Sequence, residues 1–154
     1  MNMQKHLGRN ETINLGSFYT PRFIVQKAYE MLEKQVNLKD YLLFDSSCGY
    51  GDFFLYNELN YLGADIDSVA LSKVSPNIRT IHTNSLHDVG REKFGIKKDE
   101  KLIIIGNPPY NDKTSIIRNH IKKSLFEIDK NLAFRDLGIS FLRSYAVLEP
   151  EFVC

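Results

Sequence analysis

Asn107-Pro108-Pro109-Tyr110 sets a carboxamide, two tertiary-amide nitrogens and a phenol in four consecutive positions. Each proline fixes φ and removes a backbone donor, so carbonyls in such a turn stay free to accept from a ligand. A side-chain amide, free carbonyls and a flat aromatic face together suit the gripping of a planar amine. The tetrapeptide follows Leu102-Ile103-Ile104-Ile105-Gly106, whose length and β-branched content are those of a parallel core strand. Asn107 is therefore expected at the carboxyl end of a strand, where open α/β sheets place their ligands. Ordinary core packing is the competing reading of Tyr110.

A second group is Asp45-Ser46-Ser47-Cys48-Gly49-Tyr50-Gly51-Asp52, directly after the apolar run Tyr41 to Phe44. Glycines after a first strand let the backbone approach a ligand closely and open a helix N-terminus towards it. A Gly-x-Gly turn is also a steric device in its own right, and the third glycine of the dinucleotide fingerprint is absent. Asp65-Ile66-Asp67 follows about twenty residues after the loop, at the end of the next strand, where an acid can accept from both hydroxyls of a ribose. Asp67 is equally placed to cap a helix starting at Ser68. Asp65 is therefore assigned to the ribose, with Ile66 against one face of a purine.

Thr83-Asn84-Ser85-Leu86 closes a third strand with an amide and a hydroxyl, which can bond an adenine edge or cap a turn. Three successive strand ends with nucleoside-compatible groups are economically explained by a nucleoside-bearing cofactor. Cys48 has no His or Lys nearby in sequence to activate it and reads as a small packed residue rather than a nucleophile. His6, His82, His87 and His120 lack metal-ligand spacing.

The elements that must position these groups follow from periodicity. Phe23, Ile24, Ala28, Met31, Leu32 and Val36 recur at helical spacing, which predicts a helix over 21–36 with Pro21 in its first turn and Thr20 as its cap. Strands are expected at 41–45, 62–67, 78–83 and 101–106, with helical segments at 52–59, 69–73, 116–128 and 137–148. Pro150 stops the last helix, and Phe152-Val153-Cys154 starts another strand. Strands alternating with helices imply an α/β, three-layer, mainly parallel sheet.

At 154 residues and 43% hydrophobic content the chain suits one domain, 16–154, behind a polar N-terminal arm, 1–15. A net charge of +1 without a basic block neither announces nor excludes a nucleic-acid partner. Two cysteines, Cys48 and Cys154, make no disulfide framework and point to a reducing, cytoplasmic setting. No stretch approaches the roughly 20 apolar residues that would span a membrane.

Taken in order, Phe18-Tyr19-Thr20-Pro21, Asp45 to Asp52, Asp65-Ile66-Asp67, Asn84-Ser85-Leu86 and Asn107-Pro108-Pro109-Tyr110 resemble the gamma-class N6-adenine DNA methyltransferases of restriction-modification systems. The likeness runs over about residues 16 to 112. Asn-Pro-Pro-Tyr alone is shared with enzymes that methylate glutamine amides; the upstream Phe-Tyr-Thr-Pro is more particular to the DNA enzymes. The resemblance implies a Rossmann-like fold binding S-adenosylmethionine. It implies that the Tyr19, Thr20, Pro21 turn reaches the methionine part, that Asp45 and the loop of Cys48, Gly49 and Gly51 surround it, that Asp65 takes the ribose, and that Asn84 meets the adenine amine, with Ile66 and Ser85 also on the adenine side. The chain departs from the family with Ser46 where proline is usual, Tyr50 where a small residue is usual, and Asn84 where aspartate is commoner.

An exocyclic adenine nitrogen is a poor nucleophile because its lone pair is delocalised into the ring. Accepting its two N–H bonds at the Asn107 side-chain oxygen and the Pro108 carbonyl would localise that pair. A base in double-stranded DNA must be flipped to reach such a pocket, where Tyr110 would stack on it. The family adds further strands and a target-recognition region beyond those found here. An incomplete catalytic domain is therefore expected, with a second chain as one source of the missing strands. The rival readings are a glutamine-amide protein methyltransferase and a non-catalytic cofactor-binding remnant or subunit.

Overall fold

The computed structural model describes residues 20–110 and 127–154. Among these, five strands form one all-parallel sheet: β1 (Leu42–Asp45), β2 (Asn60–Asp65), β3 (Arg79–His82), β4 (Leu102–Ile104) and β5 (Phe152–Val153), in the order β3-β2-β1-β4-β5. The described helices are α1 (Arg22–Glu33), the single turn α2 (Ser68–Leu71) and α3 (Leu137–Leu148), with 3₁₀ turns at Leu38–Asp40 and Glu92–Phe94.

Side chains on a strand alternate between faces, and this sheet is buried on both. Leu43, Ile103, Ile105 and Tyr61 pack with Val25, Tyr29 and Leu32, the buried stripe of α1. Leu42, Phe44, Leu62, Ala64, Leu102 and Ile104 pack on the opposite side with Phe94, Leu137, Phe141, Tyr145 and Leu148, most of them from α3. The three-layer arrangement expected from the sequence is thus present. The chain moves outward from β1 to β3 and then returns across β1 to β4, so neighbouring strands β1 and β4 send their connections in opposite directions. A crevice at the carboxyl ends of such strands is the switch point of an open α/β sheet.

Several elements match their sequence signals closely. The helix expected over 137–148 is α3, and its chain leaves through Glu149 in the left-handed region at φ 50°. Asp67 caps α2, its Oδ1 accepting from Val69 N at 2.9 Å and Ala70 N at 3.1 Å. The helix expected at 116–128 lies outside the described residues up to 126, as does the N-terminal arm.

Two expectations are corrected. Residues 52–59 form turns and irregular chain, not a helix. The buried Tyr29 hydroxyl donates to the Phe53 carbonyl at 2.7 Å, and Tyr56 N donates to the Tyr61 hydroxyl at 3.3 Å. Side chains therefore take backbone groups that a helix would have paired internally. Likewise Thr20 does not cap α1. Pro21 is the N-cap and, with no polar side-chain atom, makes no side-chain cap bond, while the Thr20 hydroxyl accepts from Asn107.

Candidate active site

Strand register brings the carboxyl ends of β2, β1 and β4 level: Phe44 lies opposite both Leu62 and Ile104, and Asp45 opposite Gly63. Asp65 ends β2, the Asp45–Asp52 loop leaves the end of β1 and Asn107 follows β4, so all three sit at one edge.

The loop after β1 is held from β2. Cys48 N donates to Ala64 O at 3.0 Å, and Gly49 N donates to Asp65 Oδ2 at 2.8 Å. The other Asp65 oxygen accepts from Asp67 N at 2.8 Å. Asp65 thus ties the glycine loop to the turn after β2, and a carboxylate has lone pairs left for a further donor. Gly51 has φ 81°, and a β-carbon there would stand 2.6 Å from Phe54 Cδ2. The loop needs glycine at this position for both reasons. Cys48 is buried with its sulfur packed towards Gly63. Burial pushes its thiol well above the usual range, with Asp45 and Asp65 adding to the effect, so it is poorly suited to nucleophilic work.

Asp45 is only 2% exposed. Burial raises its pKa to about 8; a hydrogen bond from Ser47 N at 3.1 Å opposes that shift, and Asp65 and Asp52 add to it. Burial also raises Asp65, against bonds from Asp67 and Gly49, and raises Asp52, against a bond from the Thr20 backbone N–H. Gly106 leaves room for this cluster, since a β-carbon there would lie 2.6 Å from Asp45 Oδ1.

Thr20 reaches the site through two contacts. The backbone N–H of Thr20 is bonded to Asp52, and its Oγ1 accepts from Asn107 Nδ2 at 3.3 Å. Tyr19 lies outside the described residues. Tyr110 is 48% exposed, not packed into the core. Its β-carbon would be 3.5 Å from one placed on Gly138, in the first turn of α3.

At the third strand end the amide of Asn84 is engaged locally. Its Oδ1 accepts from Leu86 N at 2.9 Å, and its Nδ2 donates to Glu127 O at 2.6 Å. Buried Ser85 donates to Ser46 O at 2.6 Å, and Ser46 Oγ donates to Tyr145 at 3.1 Å, which joins the β3 and β1 loops to α3. Ile66 O is bonded to His82 Nε2 at 2.9 Å.

The first solved structure in the comparison is the methyltransferase subunit of the type I restriction-modification system from Streptococcus thermophilus: TM-score 0.50, 17% identity, 86% of this chain covered. The likeness is one of fold. This chain spans 32% of that subunit. The type IIG restriction endonuclease BpuSI aligns at TM-score 0.47 and 15% identity, over 92% of this chain and 18% of its own. No family model matches the chain, and no curated protein is significantly similar to it. No described helix is long and apolar enough to cross a membrane.

Four contributors carried little sequence signal. Asp52 closes the glycine loop and holds Thr20, which an acid directly after Gly51 could have suggested. Asp129 accepts from Asp88 N at 2.9 Å and Val89 N at 3.1 Å and so braces the loop after β3. Lys93 caps the Asn84 and His87 carbonyls. Arg91 donates to the carbonyls of Leu148, Glu149, Lys97 and Glu100, joining the end of α3 to the approach to β4.

Proposed function

We propose that this chain carries the catalytic core of an S-adenosylmethionine-dependent DNA methyltransferase that modifies adenine N6, as in the gamma class of restriction-modification enzymes. The observation that carries the reading is the meeting of Asp65, Gly49 and Asn107 at one edge, at the carboxyl ends of the adjacent strands β2, β1 and β4. Had Asn107 stood at the opposite end of the sheet from Asp65, the reading would have failed.

The residues present suit a cationic sulfonium cofactor. Asp45, Asp52 and Asp65 concentrate carboxyl groups beside the glycine loop, and burial costs their charged forms free energy that a neighbouring cation would offset. Ser47 Oγ is buried without a hydrogen-bond partner among the described residues, and a ligand amine or carboxylate could satisfy it. Asp45, Ser47 and the Cys48–Gly51 loop, with Thr20 and Pro21, would hold the methionine part; Asp65 and Ile66 the ribose side; Asn84 and Ser85 the adenine side. When bound, the cofactor supplies an electrophilic methyl group.

The chain's own residues would prepare the acceptor. Asn107 Nδ2 is directed to Thr20, which leaves Oδ1 to accept one amine N–H while the Pro108 carbonyl accepts the other. Two acceptors draw the nitrogen lone pair out of the ring and towards the methyl group. Pro109 keeps the turn rigid and donor-free, and the exposed ring of Tyr110 offers a stacking face for a flipped base. Such stacking is worth roughly 1 to 3 kcal/mol per base.

Transfer of a tritiated methyl group from S-adenosylmethionine to adenine-containing duplex DNA tests the reading. Label in N6-methyladenine after digestion is the expected result. Label only in glutamine side chains of protein substrates would give the site to the amide-modifying class, and failure to bind the cofactor in calorimetry would overturn both. Assembly with a second chain is a separate proposal, favoured by β5, which is outermost among the described strands and whose Val153 is exposed. A strand added there would appear as a stable dimer or hetero-complex by light scattering.

A further inference from the structure

The start of α3 carries a feature that the acceptor chemistry does not use. Phe134 is 46% exposed, yet its surroundings fix it. Its backbone N donates to Ser140 Oγ at 3.0 Å, and the Arg143 guanidinium lies 5.0 Å from the centre of its ring. Arg143 is itself anchored, with Nη1 donating to Ala133 O at 3.2 Å. A lone exposed phenylalanine needs no explanation. One held under a guanidinium, in the chain just before the helix whose first turn abuts Tyr110, is a prepared surface.

The charges nearby decide what such a surface would meet. Asp136 is exposed, and its Oδ1 is engaged as the cap of α3, accepting from Gly138 N at 2.7 Å. Asp129 is turned to Asp88 N and Val89 N. Arg143 makes no ion pair among the described residues, and a guanidinium has five N–H donors, of which Ala133 O takes one. An outward cation over an aromatic plane, with the adjacent carboxylates satisfied by backbone N–H groups, complements a base and its phosphate together.

We infer that Phe134 and Arg143 form a nucleic-acid contact outside the acceptor pocket, in which Phe134 stacks on a base next to the one at Tyr110 and Arg143 binds the adjoining phosphate. The inference rests on the reading of DNA as acceptor and extends it to the strand that flanks the modified base. Tyr110 and Phe134 both meet the first turns of α3, through Gly138 and Ser140, so one rigid element sets their separation.

Fluorescence anisotropy with labelled adenine-containing oligonucleotides, single-stranded and duplex, tests it over a range of salt concentrations. Phe134→Leu, which keeps an apolar side chain but removes the ring, should weaken binding about tenfold, and Phe134→Trp should restore it. Arg143→Gln should reduce the slope of log K against log salt by about 0.7 to 0.9, the share of one phosphate contact. Calorimetric affinity for S-adenosylmethionine should stay the same in all three variants, which separates a lost contact from a disturbed fold. Wild-type affinity in Phe134→Leu, or an unchanged salt slope in Arg143→Gln, overturns the inference and leaves the acceptor reading standing. Absence of nucleic-acid binding by the wild-type chain overturns both.

Discussion

Asn107 Nδ2 donates to Thr20 Oγ1 at 3.3 Å, across 87 residues of sequence. The bond turns the Nδ2 end of the carboxamide to the chain's own hydroxyl and leaves the Oδ1 end for a substrate. Asn107→Ala should abolish methyl transfer and leave cofactor affinity nearly unchanged, since the side chain contributes to the acceptor side alone. Thr20→Val keeps the shape of the side chain but removes the acceptor, so the carboxamide can turn over. It should lower kcat by about tenfold, the value of roughly 1.4 kcal/mol of lost orientation. Steady-state kinetics on both variants and calorimetry on Asn107→Ala check this; a loss of cofactor binding in Asn107→Ala as large as its loss of transfer would contradict the division of roles.

Asp65 is expected to matter twice, as the anchor of Gly49 and as an acceptor for the ribose. Asp65→Ala should weaken S-adenosylmethionine binding by about 1.5 to 3 kcal/mol, the range for hydrogen bonds to a charged group. Because the same substitution frees Gly49 N and Asp67 N, protection of these amides from hydrogen exchange should fall as well. An unchanged dissociation constant would remove Asp65 from the site.

Asp45 gives the chain a pH dependence of definite sign. Its pKa is about 8 in the fold, against roughly 3.9 in an unfolded chain, so the folded state binds the extra proton throughout that window. Stability from this group is full below pH ~4 and is lost as pH rises towards about 8. Asp52 and Asp65, raised in the same direction, act with the same sign. The thermal midpoint of the ligand-free chain should therefore fall between pH ~5 and ~8, and Asp45→Asn should flatten the decline while retaining an acceptor for Ser47 N. A cationic cofactor would favour the ionised carboxylate, so its affinity should rise over the same interval, with proton release visible as a dependence of binding enthalpy on buffer. Affinity that is flat from pH 6 to 9 would separate Asp45 from the bound cation.

The sheet was legible because its strands are short apolar runs bounded by charge, glycine or acid, and α3 was legible because its periodicity ends at Pro150. The cap at Asp67 followed from an acid placed one residue before a helix. What escaped were bonds made by distant side chains. Nothing in Asp52 to Leu59 announces that the hydroxyls of Tyr29 and Tyr61 will take its backbone groups, so an apolar-rich segment after a glycine loop reads as a helix. Thr20 reads as a cap for the same reason, its true partner lying after β4. Asn84 was visible as a turn former or a ligand group, but its bond to Glu127 depends on a segment 43 residues further on. Sequence thus placed Asp65, the glycine loop and Asn107 at one edge of the sheet, and tertiary contacts determined how these pieces are tied.

Tyr29 provides a check on the scaffold that is separate from catalysis. It is fully buried, donates to the Phe53 carbonyl at 2.7 Å, and lies 2.8 Å from the Tyr61 hydroxyl, with Tyr56 edge-on to its ring at 5.1 Å. Tyr29→Phe preserves the ring packing but leaves the Phe53 carbonyl without this donor, at a cost of about 1 to 3 kcal/mol for an unsatisfied buried group. Since Phe53 follows directly on Gly51 and Asp52, the loss should loosen the glycine loop as well as destabilise the fold. Denaturant melts should show the lower midpoint, and Gly49 and Gly51 amides should exchange faster while those of α3 keep their protection. Uniform acceleration across both regions would mean that Tyr29 supports global stability without a particular hold on the loop.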